Sequence, residues 1–153
     1  MGVVGFYIIH IKEIESPIKT QHAASSSFTN QKKTLSNQTS EEFVTTLSGL
    51  QYRILNEGSG NDSPGPENVV SVHFRGKLTN GLEFDSSYKR NQPVSFPVNG
   101  VIRGWTEALQ LMKEGDKWEL IIPPDLAYGS KGAGNIIPPE STLIFEVELI
   151  EIK

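Results

Sequence analysis

Residues 69–75, VVSVHFR, alternate without a break: Val70, Val72 and Phe74 fall on one side of an extended chain, Ser71, His73 and Arg75 on the other. A strand with one apolar and one polar face lays the first on a core and leaves the second to water, as antiparallel sheets do. Asn80-Gly81 then gives a tight-turn signal between RGKL (75–78) and LEF (82–84). Further β-like runs are LQYRIL (50–55), VSFPV (94–98), DKWELIIP (116–123) and TLIFEVELIEIK (142–153). Pro97 argues for an edge position or a bulge in its run. The Gly/Pro/Asn/Asp cluster at 56–68 is a loop.

One segment has helical spacing. In GWTEALQLMK (104–113), Trp105, Leu109 and Met112 fall at i, i+4 and i+7, and Gly115 follows as a stop. About five antiparallel strands and one apolar-faced helix predict an α+β domain, with a twisted sheet wrapped over the helix. Residues 40–47 support two conformations. Thr39 and Glu42 have capping-box spacing, while the β-branched VTT favours a strand.

Ahead of this domain, expected over 43–153, residues 20–41 are rich in Ser, Thr, Asn and Gln and have almost nothing to bury. Such a stretch does not offset its ordering entropy, which makes 20–42 a linker. The first 19 residues form a short apolar and charged segment. About ten mostly apolar residues before Lys12 fall short of the roughly 18 needed to cross a bilayer. No basic first segment or small-residue cleavage site marks a secretory signal. Gly2 lacks the Ser or Thr that myristoylation wants where Phe6 stands. A short strand, or the stub of a longer precursor, is the expectation there.

Composition removes several function classes. The chain has no cysteine, so disulfides, thiolate catalysis and Cys-based zinc sites are excluded together. His10, His22 and His73 have no metal-ligand spacing, and no metal is expected. Residues 1–49 are neutral, with four basic and four acidic side chains; residues 50–153 hold ten and fourteen, and so carry the whole net charge of −4. A mildly acidic domain is a poor binder of nucleic-acid phosphates. The loop GAGNII lacks the third glycine of a dinucleotide fingerprint, and no Gly-Lys-Ser/Thr follows it.

That loop, YGSKGAGNIIPPES (128–141), places Ile136 and Ile137 among polar residues and stiffens them with Pro138-Pro139. A loop gains little by showing isoleucine to water. Either it enters the core or it offers an apolar surface to a visitor. Asp85, directly after Phe84, is by itself a turn former bonded to local backbone. Trp105 is by itself a core residue, although its size suits a cavity floor at a helix start. Together Phe84, Phe96, Ile102, Trp105, Tyr128, Ile136, Ile137 and Phe145 make either a plain core or an apolar pocket with Asp85 and Tyr128 as orienting polar groups.

The motifs VHFRGKLTNGLEFDSS, VIRGW, LAYG, IIPP and TLIFEVELI, in this order and spacing, resemble the FKBP-type peptidyl-prolyl cis-trans isomerases. GWTEALQLMKEGDKWELIIPPDLAYG is most similar to their bacterial Mip/FkpA branch, and SGLQYRILNEGSG resembles that branch's lead into the catalytic domain. The resemblance spans about residues 48–153. It implies a proline-binding pocket between sheet and helix, with the Trp105 indole as floor and Phe84, Val101, Ile102 and Phe145 as walls. Phe74, Val94 and Phe96 are grouped with the substrate-binding residues. Asp85 and Tyr128 match the pocket's polar groups, Ile136 and Ile137 lie on its flap, and the Ile102 N–H matches the donor that holds a substrate carbonyl. The chain departs from the family at Phe74, usually a tyrosine, at Val94, often aromatic, and at Ala133, sometimes a histidine. These changes bear on ligand affinity and sequence preference.

Assistance to protein folding by Xaa-Pro isomerisation is therefore expected, without cofactor or metal. The partners implied are proline-containing polypeptides and macrolide-type ligands, with no nucleic acid. A non-catalytic peptide-binding module or holdase using the same groove, and a structural domain with a filled core, are the alternatives. The long dimerisation arm of Mip and FkpA proteins does not fit the short, polar residues 1–42, so a monomer is expected. Location follows the branch, periplasmic or cell-envelope, or else is cytoplasmic.

Overall fold

The computed structural model describes residues 41–153. The expectations for residues 1–19, and for the polar stretch as far as residue 40, lie outside the described residues. Seven strands form one antiparallel sheet: β1 (Val44–Thr45), β2 (Gln51–Asn56), β3 (Val69–Leu78), β4 (Glu83–Ser86), β5 (Val94–Pro97), β6 (Lys117–Ile122) and β7 (Leu143–Ile152). Their order is β1-β2-β6-β7-β3-β4, with β5 also paired to β3. Among the described residues one α-helix, α1 (Arg103–Leu109), packs on the sheet's inner face through Trp105, Ala108 and Leu109.

Alternation decides which face is which. On β3, Val70, Val72, Phe74 and Leu78 are buried; on β6 Trp118, Leu120 and Ile122; on β7 Leu143, Phe145, Val147 and Leu149. The intervening residues, including His73, Arg75, Lys117, Glu146 and Glu148, lie on the other face, where Lys117 pairs with Glu146 and Arg75 with Glu83. In the sheet β5 pairs with β3 and ends on Pro97, in keeping with the edge position expected of its proline.

Two local expectations change. The segment left open before Leu50 forms a two-residue strand, β1, which raises the strand count to seven rather than about five. The helix, expected over 104–113, ends at Leu109. The Lys113 N–H turns instead to the Asp116 carboxylate at 2.9 Å, and Leu111 N–H bonds Ala108 carbonyl at 2.9 Å, tightening the last turn. Met112 is still fully buried, so its apolar spacing reports burial beyond the helix rather than helix length.

Candidate active site

At the centre lies Trp105, with no exposed surface. Three rings meet its indole edge to face: Phe74 at 5.4 Å, Phe145 at 5.3 Å and Phe96 at 5.8 Å between centroids. Such pairs favour this offset because a ring's positive edge meets a negative face. β3, β5 and β7 each supply one of these rings, so the indole is clamped by the sheet on three sides. Val101 and Ile102, both 4% exposed, bring the chain into α1. The Ile102 carbonyl accepts the Trp105 and Thr106 N–H groups at 3.0 and 3.1 Å, while its own N–H makes none of the turn or cap bonds of this segment.

The wall beside the indole depends on a bulge. β3 and β4 pair Gly76 with Asp85 and Lys77 with Glu83, which leaves Phe84 as the extra residue. Phe84 meets Phe145 edge to face at 5.6 Å. A Cβ on Gly76 would lie 2.6 Å from a Phe145 ring carbon and 2.7 Å from one of Phe84, so only glycine lets both rings close over this strand. The same register turns Asp85 inward, where it is 6% exposed.

One Asp85 oxygen is occupied: Oδ1 accepts the Ser86 N–H at 2.8 Å and pairs with Arg90 Nη1 at 2.9 Å. The other, Oδ2, is buried with no hydrogen-bond partner among the described residues, and so are the Tyr128 hydroxyl and the Trp105 Nε1–H. Trp118 Nε1 is a further such atom and sits where that ring stacks on Tyr52; Glu83 Oε2, also buried, is ion-paired to Lys89. Burial first, and the Asp85 carboxylate second, raise the Tyr128 pKa well above the ordinary phenol value. Tyr128 therefore keeps its proton and stands ready as a donor.

Tyr128 opens the loop that carries Ile136 and Ile137. A small hairpin shapes this loop: Ala133 N–H bonds the Ile137 carbonyl at 2.8 Å and Ile137 N–H returns to Ala133 at 3.0 Å. The two isoleucines part company. Ile137, 2% exposed, joins the core, while Ile136 is half-buried at the surface. The choice between core and pocket thus divides residue by residue. Phe74, Phe96, Ile102, Trp105, Ile137 and Phe145 are core, and Phe84, Val94, Tyr128 and Ile136 form a partly exposed layer packed on it. A surface groove between the β3–β4 turn and Pro138–Thr142 contains none of these aromatic residues.

Two contributors escaped the sequence. Arg90 reaches Asp85 from a 3₁₀ turn (Tyr88–Arg90), and Gly76 makes the ring closure possible. An Asp and an Arg five residues apart carry no strand or helix periodicity that would pair them; only the FDSSYKR string itself holds the information.

A family model described as FKBP-type peptidyl-prolyl cis-trans isomerase matches residues 60–150. The chain is 57% identical over 116 residues to the FKBP-type 22 kDa peptidyl-prolyl cis-trans isomerase of Escherichia coli, covering 76% of this chain and 56% of that protein. It is 54% identical over 106 residues to the macrophage infectivity potentiator of Trypanosoma cruzi, covering 69% and 54% respectively. Among solved structures, FkpA from Escherichia coli superposes with a TM-score of 0.70 at 45% identity, over 74% of this chain and 52% of that one. A Pseudomonas syringae peptidyl-prolyl cis-trans isomerase gives a TM-score of 0.67 at 41% identity, over 72% and 80%. The chain thus spans little more than half the length of these curated relatives. With the fold, the ring clamp and the motif order all in agreement with these matches, the chain belongs to the FKBP-type peptidyl-prolyl cis-trans isomerase family.

Proposed function

We propose that the chain accelerates cis–trans rotation about Xaa-Pro bonds in flexible or unfolded polypeptides. The carrying observation is three buried polar atoms without a hydrogen-bond partner among the described residues, Asp85 Oδ2, Tyr128 OH and Trp105 Nε1, with the Asp85 charge acting on Tyr128. Buried polar groups in a folded protein are normally paired, so such atoms support a role in meeting a ligand's polar atoms.

The chemistry needs no covalent bond to break. An Xaa-Pro bond rotates over tens to hundreds of seconds behind a barrier of about 18–20 kcal/mol, most of it lost amide resonance. The planar amide is more charge-separated than the twisted one. An apolar surface of Phe84, Val94 and Ile136, packed on the core that holds Trp105, therefore disfavours the planar form more, which is differential binding of the transition state. The Tyr128 hydroxyl and the Ile102 N–H would hold peptide carbonyls on either side of the rotating bond. Asp85 Oδ2 would face the rotated carbonyl carbon. A thousandfold acceleration asks for only about 4 kcal/mol of such preference.

Proline-containing polypeptides are the partners this implies, and macrolide-type ligands fit the same apolar surface. For location, the support is the relatives, one of which is named an outer membrane protein in Legionella longbeachae. No helix among the described residues is long and apolar enough to cross a membrane. Exchange NMR on short Xaa-Pro peptides with wild type, Asp85→Ala and Tyr128→Phe tests the activity. Acceleration that drops in both variants supports isomerisation at this site. Tight binding without acceleration would make the surface a clamp for peptides.

A further inference from the structure

Behind the Asp85–Arg90 pair sits a side chain with no exposure at all, Ser87. Its Oγ accepts the Phe74 N–H at 2.8 Å, lies 2.8 Å from His73 Nδ1 and 3.3 Å from the Phe74 carbonyl. Its backbone N–H bonds that same carbonyl at 2.9 Å, and its own carbonyl accepts the Arg90 N–H at 3.1 Å and the Gln92 N–H at 3.4 Å. One serine therefore fixes both Phe74, whose ring stands against Trp105, and the turn that delivers Arg90 to Asp85.

A hydroxyl has one proton to give. While the His73 imidazole is neutral with Nδ1 as acceptor, that proton goes to the nearer Nδ1. A protonated imidazole presents an N–H to Oγ instead. The hydroxyl must then turn to the Phe74 carbonyl, which is farther away and already holds the Ser87 N–H.

His73 lies on the outer sheet face, remote from the polypeptide-binding side. Its ring stacks on Tyr88 at 4.8 Å, and Glu148 of β7 stands opposite it in register. The Tyr88 hydroxyl donates to Glu148 at 3.2 Å. Arg75 and Lys117 approach the Tyr88 ring at 5.7 and 5.6 Å. Lys117 also pairs with Glu146 at 3.2 Å, and Glu83 pairs with Arg75 and Lys89. Glu151 faces Ser71 across the β3–β7 bulge, and β5 brings only Ser95, bonded by Lys153.

We propose that His73 is a positioning residue for the isomerase site: its neutral ring takes the Ser87 proton, locking Phe74 and the Arg90–Asp85 pair, and its protonation loosens both. The proposal rests on the isomerase reading above. Protonation of the ring reverses the direction of the His73–Ser87 bond, so turnover should depend on which form the ring takes although His73 touches no substrate.

The test follows kcat/KM for an uncharged Xaa-Pro peptide against pH, together with the Trp105 indole and Arg90 Nε–H resonances and the His73 ring signals. Wild type, His73→Phe and His73→Asn are compared as the full chain. Phenylalanine keeps the stack on Tyr88 but accepts nothing, whereas asparagine places a polar atom near the Nδ1 position. Where the His73 ring signals report protonation, wild-type kcat/KM should drop about two- to tenfold, the range for one hydrogen bond. The Trp105 and Arg90 signals should move with the same midpoint. His73→Phe should be slow at every pH, and His73→Asn should recover most of the rate with a flat profile. A His73→Phe protein with wild-type rate and profile overturns the proposal. If wild type does not isomerise, or if His73→Phe does not fold, the wild-type resonances decide. Signals that follow His73 uphold the coupling, and signals that ignore it end the proposal.

Discussion

The ring of Phe74 meets the Trp105 indole edge to face, 5.4 Å between centroids and 83° between planes. Phe74 is 1% exposed and also leans on Phe96 and Phe145. It therefore ties β3 to the helix and to two other strands at once. Phe74→Ala would leave a cavity against three rings, and urea unfolding should show a loss of about 3–5 kcal/mol. Phe74→Leu keeps much of the volume and should lose about 1–2 kcal/mol. Equal small losses for both would mean that the ring contacts do not hold the floor together.

Arg90 is the partner that keeps a buried carboxylate in place. Its side chain is 33% exposed, whereas that of Asp85 is only 2% exposed. Arg90→Ala should destabilise the fold by about 1.5–3 kcal/mol, the range for a bond to a charged group, and toward the low end because water reaches the arginine. Once Asp85 is already Asn, the same change should do much less, because the charge it balanced is gone. Denaturant midpoints for the two single variants and the double variant give the coupling. Strict additivity would show that the two side chains act independently.

How far the chain discloses itself varies with the physics of each part. β3 and β7 were legible because one face is apolar and the other polar over ten residues each. The helix was legible in place but not in length, since Met112 stays buried after Asp116 has drawn the Lys113 N–H out of the helical ladder. Ile136 and Ile137 look alike in sequence, and only the Ala133–Ile137 hairpin sends one inward and leaves the other half-exposed. His73 looked contextless because Ser87, its partner, is fourteen positions away. Long-range pairs of that kind leave no local pattern to read.

The raised pKa of Tyr128 gives a prediction with a definite sign. Burial and Asp85 push it above the ordinary phenol value of about 10, so in the folded protein the phenol keeps a proton that the unfolded chain releases. Its contribution to stability is complete below about pH 10 and shrinks above it, by about 1.4 kcal/mol per pH unit until the folded phenol itself ionises. Tyr88 is raised too, first by burial and then by Glu148, and adds to the same slope. Tyr128→Phe should make the alkaline decline shallower without abolishing it. At neutral pH the same variant should lose about tenfold in kcat/KM, from one missing donor. An unchanged alkaline slope would place the phenol in water rather than in the site.

The flap offers the sharpest contrast between two glycines. Gly132 and Gly134 both have left-handed backbone, with φ of +64° and +54°. A Cβ on Gly132 would overlap the Ile137 carbonyl oxygen and come within 2.8 Å of the Pro138 carbonyl carbon; at Gly134 nothing lies within 4 Å. Gly132→Ala therefore meets both backbone strain, about 1–2 kcal/mol, and a collision that must part the Ala133–Ile137 hairpin. Ile137 would be pulled from the core, and Ile136 would lose its packing against it. Gly134→Asn keeps a residue that tolerates this conformation and has open space around it. The expected outcome is a marked fall in kcat/KM and a lower denaturation midpoint for Gly132→Ala, with near wild-type values for Gly134→Asn. Comparable damage from both would locate the requirement in loop flexibility, and the close approach at Gly132 would then not be what shapes the flap.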